Sequence, residues 1–368
     1  MSSLKMIVSG GGTGGHIFPA IAIANAVKDQ VKDADILFVG AQGRMEMEKV
    51  PEAGYPIEGL WISGFQRSLS FKNLLFPFKL MSSLWKAKRI VKRFKPDVVV
   101  GTGGFASGPL LKAANAQGVP SLIQEQNSFP GVTNRLLSKQ ANRICVAYDG
   151  MEKYFDQEKL LLTGNPVRKE VVQLKGKRPR AIEYFGLQDQ LPTLLIVGGS
   201  LGARSVNNAV GAGLESIVNS GIQIIWQTGK LTYPKARALA DQLNSKQVVV
   251  TEFISRMDLA YAAADAVISR AGAIAVSELQ LVEKPCILVP FPHAAEDHQT
   301  KNALALVNHE AAVLVRDSEV EEDLVPTAIA LLKNQVQRDK LSNNIRKLGI
   351  YDAAEIIASE VIKIARNK

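Results

Sequence analysis

The chain has 368 residues, 46% of them apolar and 21% charged, with 44 Lys and Arg against 35 Asp and Glu. That length exceeds what one hydrophobic core usually organises, so two domains are expected. No apolar run is long enough to span a membrane, the first strand begins within a few residues and leaves no room for a signal peptide, and Cys145 and Cys286 sit in apolar runs without metal-ligand spacing, which together count against a membrane-spanning, secreted or zinc-built protein.

The first strand, Lys5-Met6-Ile7-Val8-Ser9, runs into Gly10-Gly11-Gly12-Thr13-Gly14-Gly15-His16 and then an amphipathic stretch from Ile17 to Val27. A strand, a glycine turn and a helix start form a seat for an anion, because helix N-termini carry free N–H groups and glycines let a ligand approach the backbone. Imidazole exchanges protons near neutral pH, which makes His16 a candidate base at the mouth of that seat. Gly10, Gly12 and Gly15 match G-x-G-x-x-G, a weak signal alone. The second strand, Asp35 to Val39, ends in Gly40-Ala41-Gln42 without the acid that a dinucleotide site uses for ribose. Asp33-Ala34-Asp35 resembles a metal-binding Asp-x-Asp but opens a strand at the end away from ligands, so it is discounted.

Between Glu58 and Asp97 there is no acidic residue and there are nine basic ones; removing these nine from 44 leaves 35, equal to the acidic count, so the whole charge excess lies here. Phe71, Leu74, Phe78, Met81 and Trp85 form an apolar stripe at helical spacing with Leu75 beside it, Lys72, Lys79, Lys86 and Arg93 recur every seven residues, and Pro77 kinks or restarts the helix. Three roles fit: an ordinary Rossmann helix with a solvated basic face, a membrane-surface helix, or, ranked lower, a nucleic-acid contact.

A second strand and glycine turn spans Asp97 to Pro109, and further strands are expected near 120–124 and 143–147. Thr163-Gly164-Asn165-Pro166-Val167-Arg168 and the polar stretch after it break the pattern, which divides the chain into 1–163 and 164–351. The second half repeats the alternation near 193–198, 222–227, 248–252, 265–269, 285–289 and 312–315, with a third glycine turn at Gly198 to Gly202. Alternating strands and helices predict parallel βαβ units, so the fold class is α/β with two Rossmann-like domains. In Ser269 to Glu278, Glu278 fits either a ribose-binding carboxylate or a solvated helix acid. The later His293, Asp297 and His298 make poor metal co-ligands and suit sugar hydroxyls better. Residues 352–368 read as a helix able to pack back on the first domain. Three glycine turns at strand ends imply two anionic or sugar-phosphate ligands.

Gly-Gly-Thr-Gly-Gly-His (11–16), Gly-Gly-Phe-Ala-Ser-Gly-Pro (103–109), Glu-Gln-Asn (125–127), Gly-Asn-Pro-Val-Arg (164–168), Gly-Gly-Ser-Leu-Gly-Ala-Arg (198–204), Arg-Ala-Gly-Ala-Ile-Ala-Val-Ser-Glu (270–278) and Gln-Thr-Lys-Asn-Ala (299–303) occur in that order. Over nearly its full length the chain resembles the MurG-type N-acetylglucosaminyltransferases of bacterial peptidoglycan synthesis. The resemblance implies a GT-B fold, with two Rossmann-like domains facing across a cleft. It implies inverting transfer of N-acetylglucosamine from UDP-GlcNAc to undecaprenyl-diphospho-N-acetylmuramoyl-pentapeptide, lipid I to lipid II, through a β-1,4 linkage. The setting implied is the cytoplasmic face of the bacterial plasma membrane, as a peripheral protein, with other cell-wall synthesis proteins as candidate partners and nucleic acid not among them.

Carried over by resemblance, the donor site comprises Thr13, Gly14, Gly15, Asn127, Arg168, Ser200, Ile254, Ala273, Ile274, Ala275, Val276, Ser277, Glu278 and Gln299. Glu278 would hold the ribose, Ile254 the uracil through its backbone, and Ser200 the diphosphate. Gln299 and Asn127 would read the sugar. Gly12, Gly103, Gly104, Phe105 and Ser107 would meet the acceptor. Ala275 and His298 depart from the family pattern, which commonly has Thr and Gln there. Phe71, Leu74, Leu75, Phe78, Met81 and Trp85, with Lys72, Lys79 and Lys86, become a membrane patch. His16 is the favoured catalytic base and Glu125 the second candidate; helix N-termini and Arg168 stabilise the leaving group. No cofactor or tightly bound metal is expected, with an assisting divalent ion left open. The alternatives are another GT-B UDP-sugar enzyme, such as a glycolipid glycosyltransferase or UDP-GlcNAc 2-epimerase, and a non-enzymatic nucleotide-sugar binding module.

Overall fold

A computed structural model describes residues 3–64, 75–199 and 202–367. Phe71, Lys72, Leu74 and Ser200 lie outside the described residues. The chain divides into one unit of Met1–Arg168 with Ile350–Lys368 and a second of Lys169–Gly349.

In the first unit, β1 (Lys5–Gly10), β2 (Asp35–Ala41), β3 (Ile57–Leu60), β4 (Val98–Gly103), β5 (Ser121–Glu125), β6 (Arg143–Val146) and β7 (Leu160–Leu162) form a parallel sheet ordered β3-β2-β1-β4-β5-β6-β7. In the second, β8 (Thr193–Val197), β9 (Gln223–Gln227), β10 (Val248–Thr251), β11 (Ala266–Ser269), β12 (Cys286–Leu288) and β13 (Val313–Leu314) form a parallel sheet ordered β10-β9-β8-β11-β12-β13. Strand order therefore reverses between β1 and β4, and again between β8 and β11. Such switch points leave a crevice at the carboxyl ends of the strands, where open α/β sheets bind ligands. The three glycine turns singled out above follow three of these four strands, β1, β4 and β8.

The central strands are buried on both faces, which is why they lack alternation: Met6 and Val8 face one core cluster and Ile7 the other. β3 and β7 are not anticipated from the sequence. They are four and three residues long and lie at the sheet edges, where the apolar pattern is weakest. Cys145 and Cys286 are free and buried, and burial pushes both thiols up to about 12.

The unit boundary falls after Arg168 rather than between 163 and 164. Asn165 bonds to Gln124 and to the Gln126 carbonyl, and the Arg168 guanidinium stacks 4.9 Å from the Phe18 ring centroid, so 164–168 belongs with the first unit. The helix Ala353–Arg366 packs on the helix Gly14–Gln30, and its Ile357, Ala358 and Val361 are fully buried in the same cluster as Ala20, Ala24 and Val27. Arg143 and Glu360 pair at 3.2 Å beside that contact.

Candidate functional site

The turns after β1 and β4 touch. Gly11 donates to the Gly103 carbonyl at 3.3 Å. Gly104 has φ +88, and a Cβ there would stand 2.3 Å from the Gly11 carbonyl oxygen. Gly103 has φ +107, and its Cβ would lie 2.8 Å from both Nδ1 and Cε1 of His16. The imidazole thus rests on bare backbone, which only glycine provides. Thr13 caps the helix Gly14–Gln30 in extended conformation, and the His16 and Ile17 amides return to its carbonyl at 3.1 and 3.2 Å. Gly14 and Gly15 keep their N–H groups without a backbone partner among the described residues, as the first turn of a helix does. Phe105 is exposed and its ring lies 4.0 Å from a Cβ built at Gly12.

Two residues expected at the acceptor have their polar groups engaged within the protein. The Gly12 N–H is already bound to Glu46 Oε2 at 2.9 Å, while Glu46 Oε1 takes the Ala41 amide at 3.0 Å. Glu46 is buried, so this carboxylate braces the turn and occupies a donor that an anion would otherwise use. Ser107 is fully buried and donates to the carbonyls of Ser9 and Gly103 at 2.9 and 2.8 Å, so its hydroxyl staples β1 to β4 instead of facing a ligand. Glu46 escapes notice in the sequence because the acid comes on the helix after β2, not at the strand end.

Glu125 is also buried, and its two oxygens receive four hydrogen bonds: from the Asn127 amide at 3.0 Å, Asn127 Nδ2 at 3.2 Å, the Gly131 amide at 3.1 Å and Asn134 Nδ2 at 2.9 Å. A carboxylate so filled shapes the loop 125–134 and orients Asn127. Gln126 Oε1 lies 2.9 Å from His16 Nδ1. Arg168 sits over Phe18, beside Gly14, and so belongs to the first glycine turn in this unit.

In the second unit, Gly199 and Gly202 both have φ +79, and a Cβ at Gly202 would meet the Thr228 carbonyl oxygen at 2.1 Å. Gln227, at the end of β9, ties the glycine turn to the loop after β10: its Nε2 donates to the Gly199 carbonyl at 3.0 Å and its Oε1 accepts the buried Ile254 amide at 3.4 Å. Backbone recognition by Ile254 would therefore fall to its carbonyl.

The helix Ala273–Leu281 starts at the carboxyl end of β11. Ala273, Ile274 and Ala275 are its first three residues, while the Val276 amide already donates to the Gly272 carbonyl at 2.9 Å. Val276 and Ser277 are buried, so their side chains do not line an open face. One turn on, Glu278 accepts the Tyr261 hydroxyl at 3.0 Å, a partner not anticipated from sequence. Gln299 Oε1 accepts the Phe291 amide at 2.9 Å. His298 opens the helix His298–Val307. Arg270 holds these loops together, donating to the Val289 and Pro290 carbonyls, Asp317 and Ser205. Among the described residues, no three His, Cys, Asp or Glu side chains gather as a metal site.

The helix Phe76–Phe94 begins with Pro77 in its first turn, so the proline starts it. Ser83, Ala87, Ile90 and Val91 bury one face. Phe78, Met81 and Trp85 point away from the core with 67%, 70% and 62% of their surface exposed, and Leu75 is exposed beside them. The heptad cations behave otherwise than expected. Lys79 reaches Ser63 Oγ at 3.0 Å, Lys86 the Gly59 carbonyl at 2.7 Å, and Arg93 pairs with Glu58. They cover the β3 edge, whose carbonyls need partners. Lys88, Arg89, Lys92 and Arg93 are exposed on this helix, with Arg89 stacked 4.6 Å from the Trp85 ring centroid.

Two Rossmann-like units, each with helix N-termini and glycine turns at its switch point, define the class: a double-Rossmann protein equipped for phosphate-bearing ligands. Residues 6–146 match the glycosyltransferase family 28 N-terminal domain and residues 193–357 the family 28 C-terminal domain. A Cytophaga hutchinsonii protein named UDP-N-acetylglucosamine–N-acetylmuramyl-(pentapeptide) pyrophosphoryl-undecaprenol N-acetylglucosamine transferase is 56% identical over 98% of this chain and 96% of its own length. A Christiangramia forsetii protein of the same name is 52% identical over 99% of both. The crystal structure of Acinetobacter baumannii MurG, at 28% identity, superposes with a TM-score of 0.78 over 98% of this chain and 100% of that one. The chain belongs to glycosyltransferase family 28, among its MurG-type N-acetylglucosaminyltransferases.

Proposed function

We propose that the protein moves N-acetylglucosamine from UDP-GlcNAc to the muramyl-pentapeptide sugar carried on undecaprenyl diphosphate, forming a β-1,4 linkage with inversion. The observation that carries this reading is His16. Its ring is seated on Gly103 and bonded through Nδ1, its Nε2 has no partner among the described residues, and the open amides of Gly14 and Gly15 lie beside it in sequence. The first unit then holds the acceptor and supplies the base. The second holds the donor, with the amides of Ala273, Ile274 and Ala275 toward the diphosphate, Glu278 toward the ribose and Gln299 toward the sugar.

In the reaction, the acceptor hydroxyl oxygen bonds to the anomeric carbon as the bond from that carbon to the β-phosphate oxygen breaks. The bonding electrons leave on UDP, the hydroxyl proton passes to His16 Nε2, and solvent later removes it. Helix N-terminal amides stabilise the leaving diphosphate, as preorganised dipoles do. Glu125, filled by four donors, serves as loop organiser and not as the base.

A lipid-borne acceptor calls for contact with a membrane. No helix among the described residues is long and apolar enough to cross one. Phe78, Met81 and Trp85 with Lys88, Arg89 and Lys92 suit peripheral attachment to the anionic cytoplasmic leaflet. Labelled UDP-GlcNAc incubated with the lipid acceptor should yield labelled disaccharide lipid, and His16→Ala should lower kcat by about 10²- to 10⁴-fold. Free N-acetylmannosamine or its nucleotide as product would instead indicate an epimerase. Binding without turnover would indicate a module.

A further inference from the structure

Behind His16 runs a line of buried amides. Gln126, Gln124 and Asn165 are all almost wholly inaccessible to solvent. Asn165 Nδ2 donates to the Gln126 backbone carbonyl at 3.0 Å, and Asn165 Oδ1 accepts from Gln124 Nε2 at 2.9 Å. Gln124 Oε1 in turn accepts from Gln126 Nε2. Gln126 Nε2 also donates to the Thr102 carbonyl at 2.7 Å and the Gln124 carbonyl at 3.1 Å. Gln126 Oε1 is left facing His16 Nδ1 at 2.9 Å.

The polarity of this line is determined by its fixed ends. Backbone carbonyls only accept, so the nitrogen of Gln126 must face Thr102 and the nitrogen of Asn165 must face the Gln126 carbonyl. Flipping Gln126 would set its oxygen against two carbonyl oxygens in a buried site, which is costly. An amide oxygen also only accepts. The hydrogen between Gln126 and His16 must therefore sit on Nδ1.

We infer that Gln126 is a positioning residue that holds neutral His16 as its Nδ1–H tautomer and leaves Nε2 as the proton-accepting atom. The catalytic consequence rests on His16 being the base; the tautomer itself does not. The device resembles in logic the acceptor behind a catalytic histidine in a hydrolase triad, with a neutral amide in place of a carboxylate. It also accounts for two motifs together. Asn165 of the Gly-Asn-Pro-Val-Arg stretch backs Gln124, and Gln126 lies between Glu125 and Asn127, whose hydrogen bonds set the course of the same loop.

The test is nitrogen NMR of histidine side chains in the full chain. There are four histidines, and the His16 signals are assigned by their loss in His16→Gln. Above the titration of the ring, wild type should show a pyrrole-like Nδ1 and a pyridine-like Nε2. Gln126→Met keeps the length but removes the acceptor, and the neutral ring should shift toward the Nε2–H form. Gln126→Glu in its protonated form keeps the Oε1 acceptor and can give its carboxyl hydrogen to the Thr102 carbonyl, so it should restore Nδ1–H. With the tautomer change, kcat in Gln126→Met should fall about 10²-fold with donor KM little changed, as misorienting a reacting group does; Gln126→Glu should recover most of the loss. A pyridine-like Nδ1 in wild type overturns the inference, and that measurement needs no variant to fold. An unchanged tautomer in folded Gln126→Met overturns it too. If the tautomer inverts while kcat holds, the tautomer assignment stands and His16 is not the base.

Discussion

Glu46, Glu125 and Glu278 lie near the glycine turns, and their partners separate them. Glu46 holds two backbone amides and Glu125 four donors, so both are spent on the protein. Glu278 accepts the Tyr261 hydroxyl through Oε2, which orients the carboxylate. Charge-assisted hydrogen bonds contribute about 1.5–3 kcal/mol each. Glu278→Gln should therefore raise the donor KM about 10- to 100-fold with a smaller change in kcat. Steady-state kinetics with UDP-GlcNAc, beside its 2′-deoxyuridine analogue, checks this; equal KM in variant and wild type would take Glu278 out of the ribose site. At this scale the sequence shows residue types but not their bonds. His16 and the glycines stand out because their motif is local. Gln126, Glu46, Gln227 and Tyr261 acquire their roles from partners on other elements, and no spacing rule reports those.

The helix Phe76–Phe94 shows the same limit in a periodic pattern. Its stripe was legible, yet periodicity could not say which of its two apolar faces is core. The structure buries Ser83, Ala87, Ile90 and Val91 and leaves Phe78, Met81 and Trp85 outside. Replacing Phe78 and Trp85 with Ser should thus leave the melting temperature nearly unchanged, since exposed substitutions cost little. It should weaken sedimentation with vesicles containing anionic lipid, and that binding should fall with salt. Lys86→Ala, by contrast, should act mainly on stability, because its ammonium caps a β3 carbonyl. If the serine variant binds vesicles as wild type does, the patch has another use.

A second element-level effect concerns the helix Met257–Ala263. Asp258 accepts hydrogen bonds from Arg256 at 2.9 and 2.8 Å and from Lys177 at 2.9 Å. The Arg256 hydrogen bonds, ahead of those from Lys177, hold the Asp258 carboxyl well below the usual carboxylate range. A depressed folded value means the stabilisation is present above the unfolded value, about 4, and is lost as pH falls through the folded one. Asp258→Asn should melt earlier at neutral pH. Its deficit should shrink as pH drops below about 4. A deficit that stays constant down to pH 2 would contradict this.

At the scale of the whole molecule, alternation and glycine turns made the double-Rossmann plan readable, down to eleven of the thirteen strands among the described residues. The course of Gly164–Arg168 was not readable, because Asn165 and Arg168 are held by side chains distant in sequence. The terminal helix supplies part of the first unit's core, so Ile357→Ala should destabilise that unit by about 2–5 kcal/mol. Hydrogen exchange should then quicken in β1, β4 and the helix Gly14–Gln30 while the second unit keeps its protection.

That terminal helix also sets a schedule for synthesis. Met1–Arg168 leaves the ribosome lacking the piece that covers Ala20, Ala24 and Val27, and Lys169–Gly349 must be made before it arrives. At about 5–20 residues per second the wait is roughly 10–40 s. For that interval the nascent first unit carries an uncovered apolar face, a natural landing place for a chaperone, while the second unit can finish folding ahead of the one that was started first.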